Sequence, residues 1–144
     1  MKKTFLTAVG LALALALAAI PQATTAKAKH HRVVFEVNSG PEAWDQVMGN
    51  IENMRKAFAP EPVDVEVVCF GKGLELIVTA KTPAADRLKA LNDSGVKLVA
   101  CQNSMRKRKV VTADLLPFAG QVDSGVAEVV RKEEDGWSYL KSGE

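Results

Sequence analysis

Alternating strand and helix patterns predict a doubly wound α/β sandwich on a mostly parallel sheet. Three observations carry this. The segments 32–37 (Arg-Val-Val-Phe-Glu-Val) and 63–70 (Val-Asp-Val-Glu-Val-Val-Cys-Phe) are nearly continuous apolar runs, as strands covered on both faces are. Between them lies a stripe of apolar residues at helical spacing. The element order βαβ, αβ, αβ, αβ then needs crossover connections, which favour parallel pairing.

The first residues stand apart from this pattern. Lys2 and Lys3 precede an apolar run over 5–20, Pro21 ends it, and small residues follow. This is the pattern of a secretory signal peptide over 1–26, with cleavage near Ala26 or Ala28. The run is short for a membrane span, which needs roughly 20 apolar residues, so no stable membrane anchor is expected after cleavage. The expected location is the periplasm. The chain of 144 residues has 19 basic and 17 acidic side chains, and losing Lys2 and Lys3 leaves 17 against 17. A near-neutral mature chain gives no case for nucleic acid. Its length suits one α/β domain over 32–144.

In order, residues 27–31 form a polar lead-in. His30 and His31 are too few ligands for a metal site, so no metal is expected. After the first strand, Ser39 and Glu42 have capping-box spacing, and Pro41 suits a first helical turn. The helix carries Trp44, Val47, Met48, Ile51, Met54 and Phe58 toward the sheet and stops near Pro60 and Pro62. The second strand holds Cys69 in its apolar end, read as core. Gly71-Lys72-Gly73 is a turn at the strand's carboxyl end, where glycines permit unusual backbone angles and Lys72 faces solvent or an anion.

Residues 74–80 read as a helical turn or two, because Leu74, Ile77 and Val78 share a face. Thr82-Pro83 opens a second helix carrying Leu88 and Leu91, which ends at Gly95. A strand over 96–101 follows and runs into Cys101. Beyond it come a helix start at Gln102, Asn103 and Ser104, and four cations from Arg106 to Lys109. Thr112 caps a short turn that Pro117 stops, and 118–122 reads as a short strand. Asp123 or Ser124 caps a last helix with Val126, Val129 and Val130 inward. Residues 137–140 close the chain as a strand.

Cys101 is the one residue placed for chemistry. It ends a parallel strand, at the sheet edge where ligands bind. Backbone N–H groups at the next helix start favour its thiolate. The competing reading is a small buried hydrophobe. The candidate rim comprises Asn38, Lys72, Gln102, Asn103, Ser104 and Arg106. The two cysteines are too few for a disulfide framework. Their side chains should point in different directions, so two free thiols are expected, with Cys101 the faster to react.

The run Val99-Ala100-Cys101-Gln102-Asn103-Ser104-Met105-Arg106 resembles the cysteine segment of DsrE/DsrF-like proteins. Asp114-Leu115-Leu116-Pro117, then Ser124-Gly125-Val126-Ala127-Glu128, and the closing Gly136-Trp137-Ser138-Tyr139-Leu140-Lys141 resemble that family too, most nearly its small YchN-type members. The resemblance implies a single Rossmann-like (flavodoxin-like) three-layer sandwich and a homo-oligomer, trimer or hexamer. It also implies a cysteine, here Cys101, that accepts and passes on persulfide sulfur between a donor and an acceptor. That is sulfurtransferase or sulfur-carrier work needing no cofactor. The alternative expectation is a non-catalytic oligomeric binding module, for small anions among other ligands.

Overall fold

The computed structural model describes residues 29–141. The expected leader over 1–26 lies outside the described residues. The elements are β1 (His31–Val37), α1 (Pro41–Phe58), β2 (Val63–Cys69), a 3-10 segment (Gly71–Ile77), α2 (Ala85–Asp93), β3 (Lys97–Cys101), α3 (Gln102–Arg108), a 3-10 turn (Thr112–Asp114), β4 (Gly120–Val122), α4 (Gly125–Glu134) and β5 (Ser138–Lys141). The strands form one sheet in the order β4-β3-β2-β1-β5. Every strand pair in it is parallel.

The connections decide which face each helix covers. From β1 to β4 the chain steps one way across the sheet, and right-handed crossovers then put their helices on one face. The step from β4 back to β5 reverses direction and places α4 on the other. Strand alternation matches this. Phe35, Val37, Val67, Cys69, Leu98 and Ala100 pack with Trp44, Ile51, Leu88 and Met105. The opposite face holds a much smaller cluster of Val34, Val68 and Val129, edged by Phe70, Val99 and Trp137. α1 buries Trp44, Val47, Met48 and Ile51, each contributing about 1.5–3 kcal/mol. α4 buries only Gly125 and Val129, so its apolar footing is several-fold weaker.

Helix ends depart from the expected ones. α1 is capped by Gly40, not Ser39, and the Gly40 N–H donates to Glu42 Oε1 at 3.0 Å. Pro41 takes the first helical position, which moves the cap one residue on, and Ser39 is buried with its carbonyl accepting from Trp44 Nε1 at 3.2 Å. α2 opens at Ala85 rather than at Thr82-Pro83, because Thr82 Oγ1 accepts from the Ala84 N–H in a local turn instead. Ser124 caps α4 by accepting from the Ala127 N–H. Val126 and Val130 do not face inward: they are 61% and 47% exposed. The stripe that meets the sheet is Gly125, Glu128, Val129 and Lys132.

At the amino-terminal end, His31 stacks on Phe58 with ring centroids 3.8 Å apart and bonds Glu61 at 2.6 Å, while His30 pairs with Asp64 at 3.0 Å. Among the described residues no three His, Cys, Asp or Glu side chains group to hold a metal. Also among them, no helix is long and apolar enough to cross a membrane.

Candidate functional site

β3 and β4 are neighbours, with Cys101 opposite Val122. The chain leaves β3 into α3 on one face and leaves β4 into α4 on the other. Adjacent strands whose exits diverge form a topological switch point, where an open α/β sheet presents its ligand crevice. Cys101 is the last residue of β3 and stands at that point. Strand alternation turns it to the α4 side, opposite to Ala100.

Two helix starts converge on it. Cys101 is the N-cap of α3, and Gly125 is the first residue of α4. A Cβ on Gly125 would lie 3.2 Å from Cys101 Cβ and 2.9 Å from Phe70 Cδ1. Only a residue without a side chain lets the backbone of α4 come so near. Burial pushes the Cys101 thiol up, but hydrogen bonds from the Gly125 N–H, the Ser104 N–H and hydroxyl, and the Asn103 N–H outweigh it. The thiol is held below its ordinary value. The Ser104 hydroxyl oxygen accepts from the Gly71 N–H at 3.0 Å, which leaves its proton for the sulfur. The side chain thus links the exits of β2 and β3.

The loop after β2 is built on close backbone contact. Gly71 adopts a left-handed φ of 56°. Gly73 is needed for a different reason: a Cβ there would fall 2.0 Å from the Val37 carbonyl oxygen. The exits of β1 and β2 are therefore held in close backbone contact.

The expected rim divides into two groups. Asn103 and Ser104 act on Cys101 directly, and Gln102 is half-buried beside them. Asn38 is tied elsewhere: its Nδ2 donates to Glu36 Oε1 at 2.6 Å, and Tyr139 OH donates to Glu36 Oε2 at 2.7 Å. Lys72 is exposed on the 3-10 segment. Arg106 is exposed and donates to Asn103 Oδ1. Arg106, Lys107 and Arg108 occupy the last turn of α3, where cations suit the helix dipole. Arg108 pairs with Glu75 at 2.8 Å. The first donors on the sulfur are therefore uncharged N–H and O–H groups rather than these cations. Gly125 and Phe70 were not among the expected site residues, and the contact between separate elements leaves no local pattern.

Cys69 is a contrast. It is fully buried on the α1–α2 face, and burial pushes its thiol up to about 12. It lies opposite Ala100, so the two cysteines project from opposite faces of adjacent strands. Their Cβ vectors diverge, which forbids a bridge. Both thiols are free.

The model of the DsrE/DsrF-like family matches residues 7–142. A protein of unknown function, MTH1491 from Methanobacterium thermoautotrophicum, has a similar structure: 28% identity, a TM-score of 0.72, and coverage of 77% of this chain and 98% of its own. The ychN protein from E. coli gives a TM-score of 0.61 at 13% identity, with the same coverages, and shares the fold. Comparison with curated proteins gives no match.

Proposed function

The chain belongs to the DsrE/DsrF-like family, and from that premise we propose that it is an exported sulfur carrier working through Cys101. The observation that carries this reading is the place of Cys101, which ends β3, caps α3 and lies against the start of α4 at Gly125, where neighbouring N–H and O–H groups hold its thiol below the ordinary value. Attack on sulfur needs thiolate, and such donors favour thiolate. The Cys101 thiolate attacks the outer sulfur of a hydropersulfide or polysulfide donor. The donor's S–S bond breaks, its thiolate leaves, and Cys101 becomes a persulfide. An acceptor thiolate then takes the outer sulfur and regenerates the Cys101 thiolate, with no net redox change. Gln102, Asn103 and Ser104, with the exposed Lys72 and Arg106 beyond them, form the rim that receives an anionic sulfur compound, while Asn38 stays committed to Glu36. Intact-mass analysis after polysulfide treatment should show added sulfur that Cys101→Ser abolishes. No adduct on reduced wild-type protein would sink the proposal.

A second reading has its own support, since Cys101 is only 4% exposed. In it the protein is an oligomeric binding module for small anions, and Cys101 is packing. It predicts slow labelling of Cys101 with an ordinary thiol pH profile. It also predicts a raised melting point with sulfite, thiosulfate or phosphate that Cys101→Ser retains.

Export and assembly complete the proposal. The leader pattern before residue 27 directs the chain to the periplasm, and mass analysis of protein from that compartment should find it cut after Ala26 or Ala28. A trimer or hexamer covers the exposed Val126, Val130, Tyr139 and Leu140.

A further inference from the structure

α4 lies along β2 in the opposite direction, in a defined register. Gly125 meets Phe70, Val129 packs with Val68 and Val34, and Lys132 Nζ reaches Glu66 Oε2 at 2.7 Å. Seven helical residues advance about 10 Å and four strand residues about 13 Å, and the lysine stem spans the remainder. The apolar part of this contact is small and non-directional, so it tolerates sliding. The ion pair does not. Glu66 is 4% exposed in the middle of the sheet, and its Oε1 is buried with no hydrogen-bond partner. Lys132 is held from three sides: by Glu66, by Glu128 Oε1 at 3.5 Å, and over the Trp137 ring at 4.5 Å. A slip of α4 by one turn would leave the Glu66 carboxylate buried without a cation, which is strongly unfavourable.

We propose that the Glu66–Lys132 pair is a register pin that fixes where α4 starts along the sheet and so holds the Gly125 N–H on the Cys101 sulfur. Glu66 and Lys132 are positioning residues. They act on the thiol through the helix and touch no substrate. Fixing register is the best-attested use of a buried polar pair, more so than stability. The inference rests on the reading of Cys101 as a working thiol.

The test replaces the pair by apolar side chains, Glu66→Leu with Lys132→Met, which removes direction and keeps volume. Cys101 alkylation is followed against pH, with peptide mapping to separate it from Cys69. The wild type should show a lowered thiol pKa. The double variant should remain folded, with its Cys101 profile moved upward and alkylation at neutral pH slowed roughly three- to tenfold, up to one pKa unit of lost thiolate. Its Gly125 amide resonance should stop responding to Cys101 ionisation. Glu66→Gln keeps the shape and a neutral hydrogen bond, and it carries the test if the double variant fails to fold; it should give a smaller shift in the same direction. A folded variant with the wild-type profile and an unchanged Gly125 response overturns the pin. A wild type with an ordinary thiol profile overturns the working-thiol reading instead.

Discussion

Gly125 and Cys101 approach so closely that a methyl group on Gly125 would lie 3.2 Å from Cys101 Cβ, and the Gly125 N–H helps hold the thiol below its ordinary value. Gly125→Ala must therefore lift the start of α4. The overpacking should cost about 1–3 kcal/mol and raise the Cys101 pKa by weakening the Gly125 donor. Melting curves and alkylation against pH check the two effects separately. Unchanged values in both would refute the contact.

Ser104→Ala removes a hydroxyl with two roles. The Gly71 N–H loses its acceptor, at a cost of about 1–3 kcal/mol if water does not replace it. The sulfur loses one donor, so its pKa should rise. Ser104→Thr keeps the hydroxyl and should restore most of both. A variant that melts lower but labels like the wild type would confine Ser104 to a structural role.

The two cysteines shift stability in opposite directions with pH. Cys69 stays protonated in the native state up to about 12, while an unfolded thiol ionises at about 8.5. Its contribution is complete below the unfolded value and is lost as pH rises from there toward 12. Cys101, with its folded pKa lowered, contributes above the unfolded value and loses that contribution as pH falls through the folded one. Cys69→Ala should flatten the alkaline fall in melting temperature above the unfolded value, and Cys101→Ala should remove a rise that lies below it, between the folded Cys101 value and the unfolded one. Native alkylation should reach Cys101 and spare Cys69 until the protein unfolds. A Cys69–Cys101 crosslink in the native protein would contradict the geometry.

If copies of the chain assemble through α4, the double variant Val126→Glu, Val130→Glu should dissociate them while leaving the protomer folded, because both side chains already face outward. Light scattering at micromolar concentration decides this. A clean wild-type monomer would argue against assembly.

Much of this architecture was legible in the chain itself. Parallel strands covered on both faces announce themselves as apolar runs, which located β1, β2 and β3, and with them Cys101 at a strand end. What stayed hidden depends on pairs of elements. α4 was expected to turn Val126, Val129 and Val130 inward because those are its apolar residues. The sheet beneath it carries Glu66, so the helix meets it with Lys132 and Glu128 and sends two valines outward. No pattern within residues 125–134 reveals a carboxylate on another strand. The same holds for Gly125, whose role comes from Cys101 and Phe70, and for the basic run, which sequence adjacency set beside the thiol and a helix of seven residues carried away from it.

The backbone contact at Gly73 bears on how this chain can vary. With the Val37 carbonyl oxygen 2.0 Å from where any Cβ would sit, even alanine demands that two strand exits separate. A library randomised at position 73 and sorted for folded protein should return glycine almost alone, whereas Lys72 next to it should accept nearly anything. Selection on folding would thus keep Gly73 in place whether or not Cys101 still had work to do.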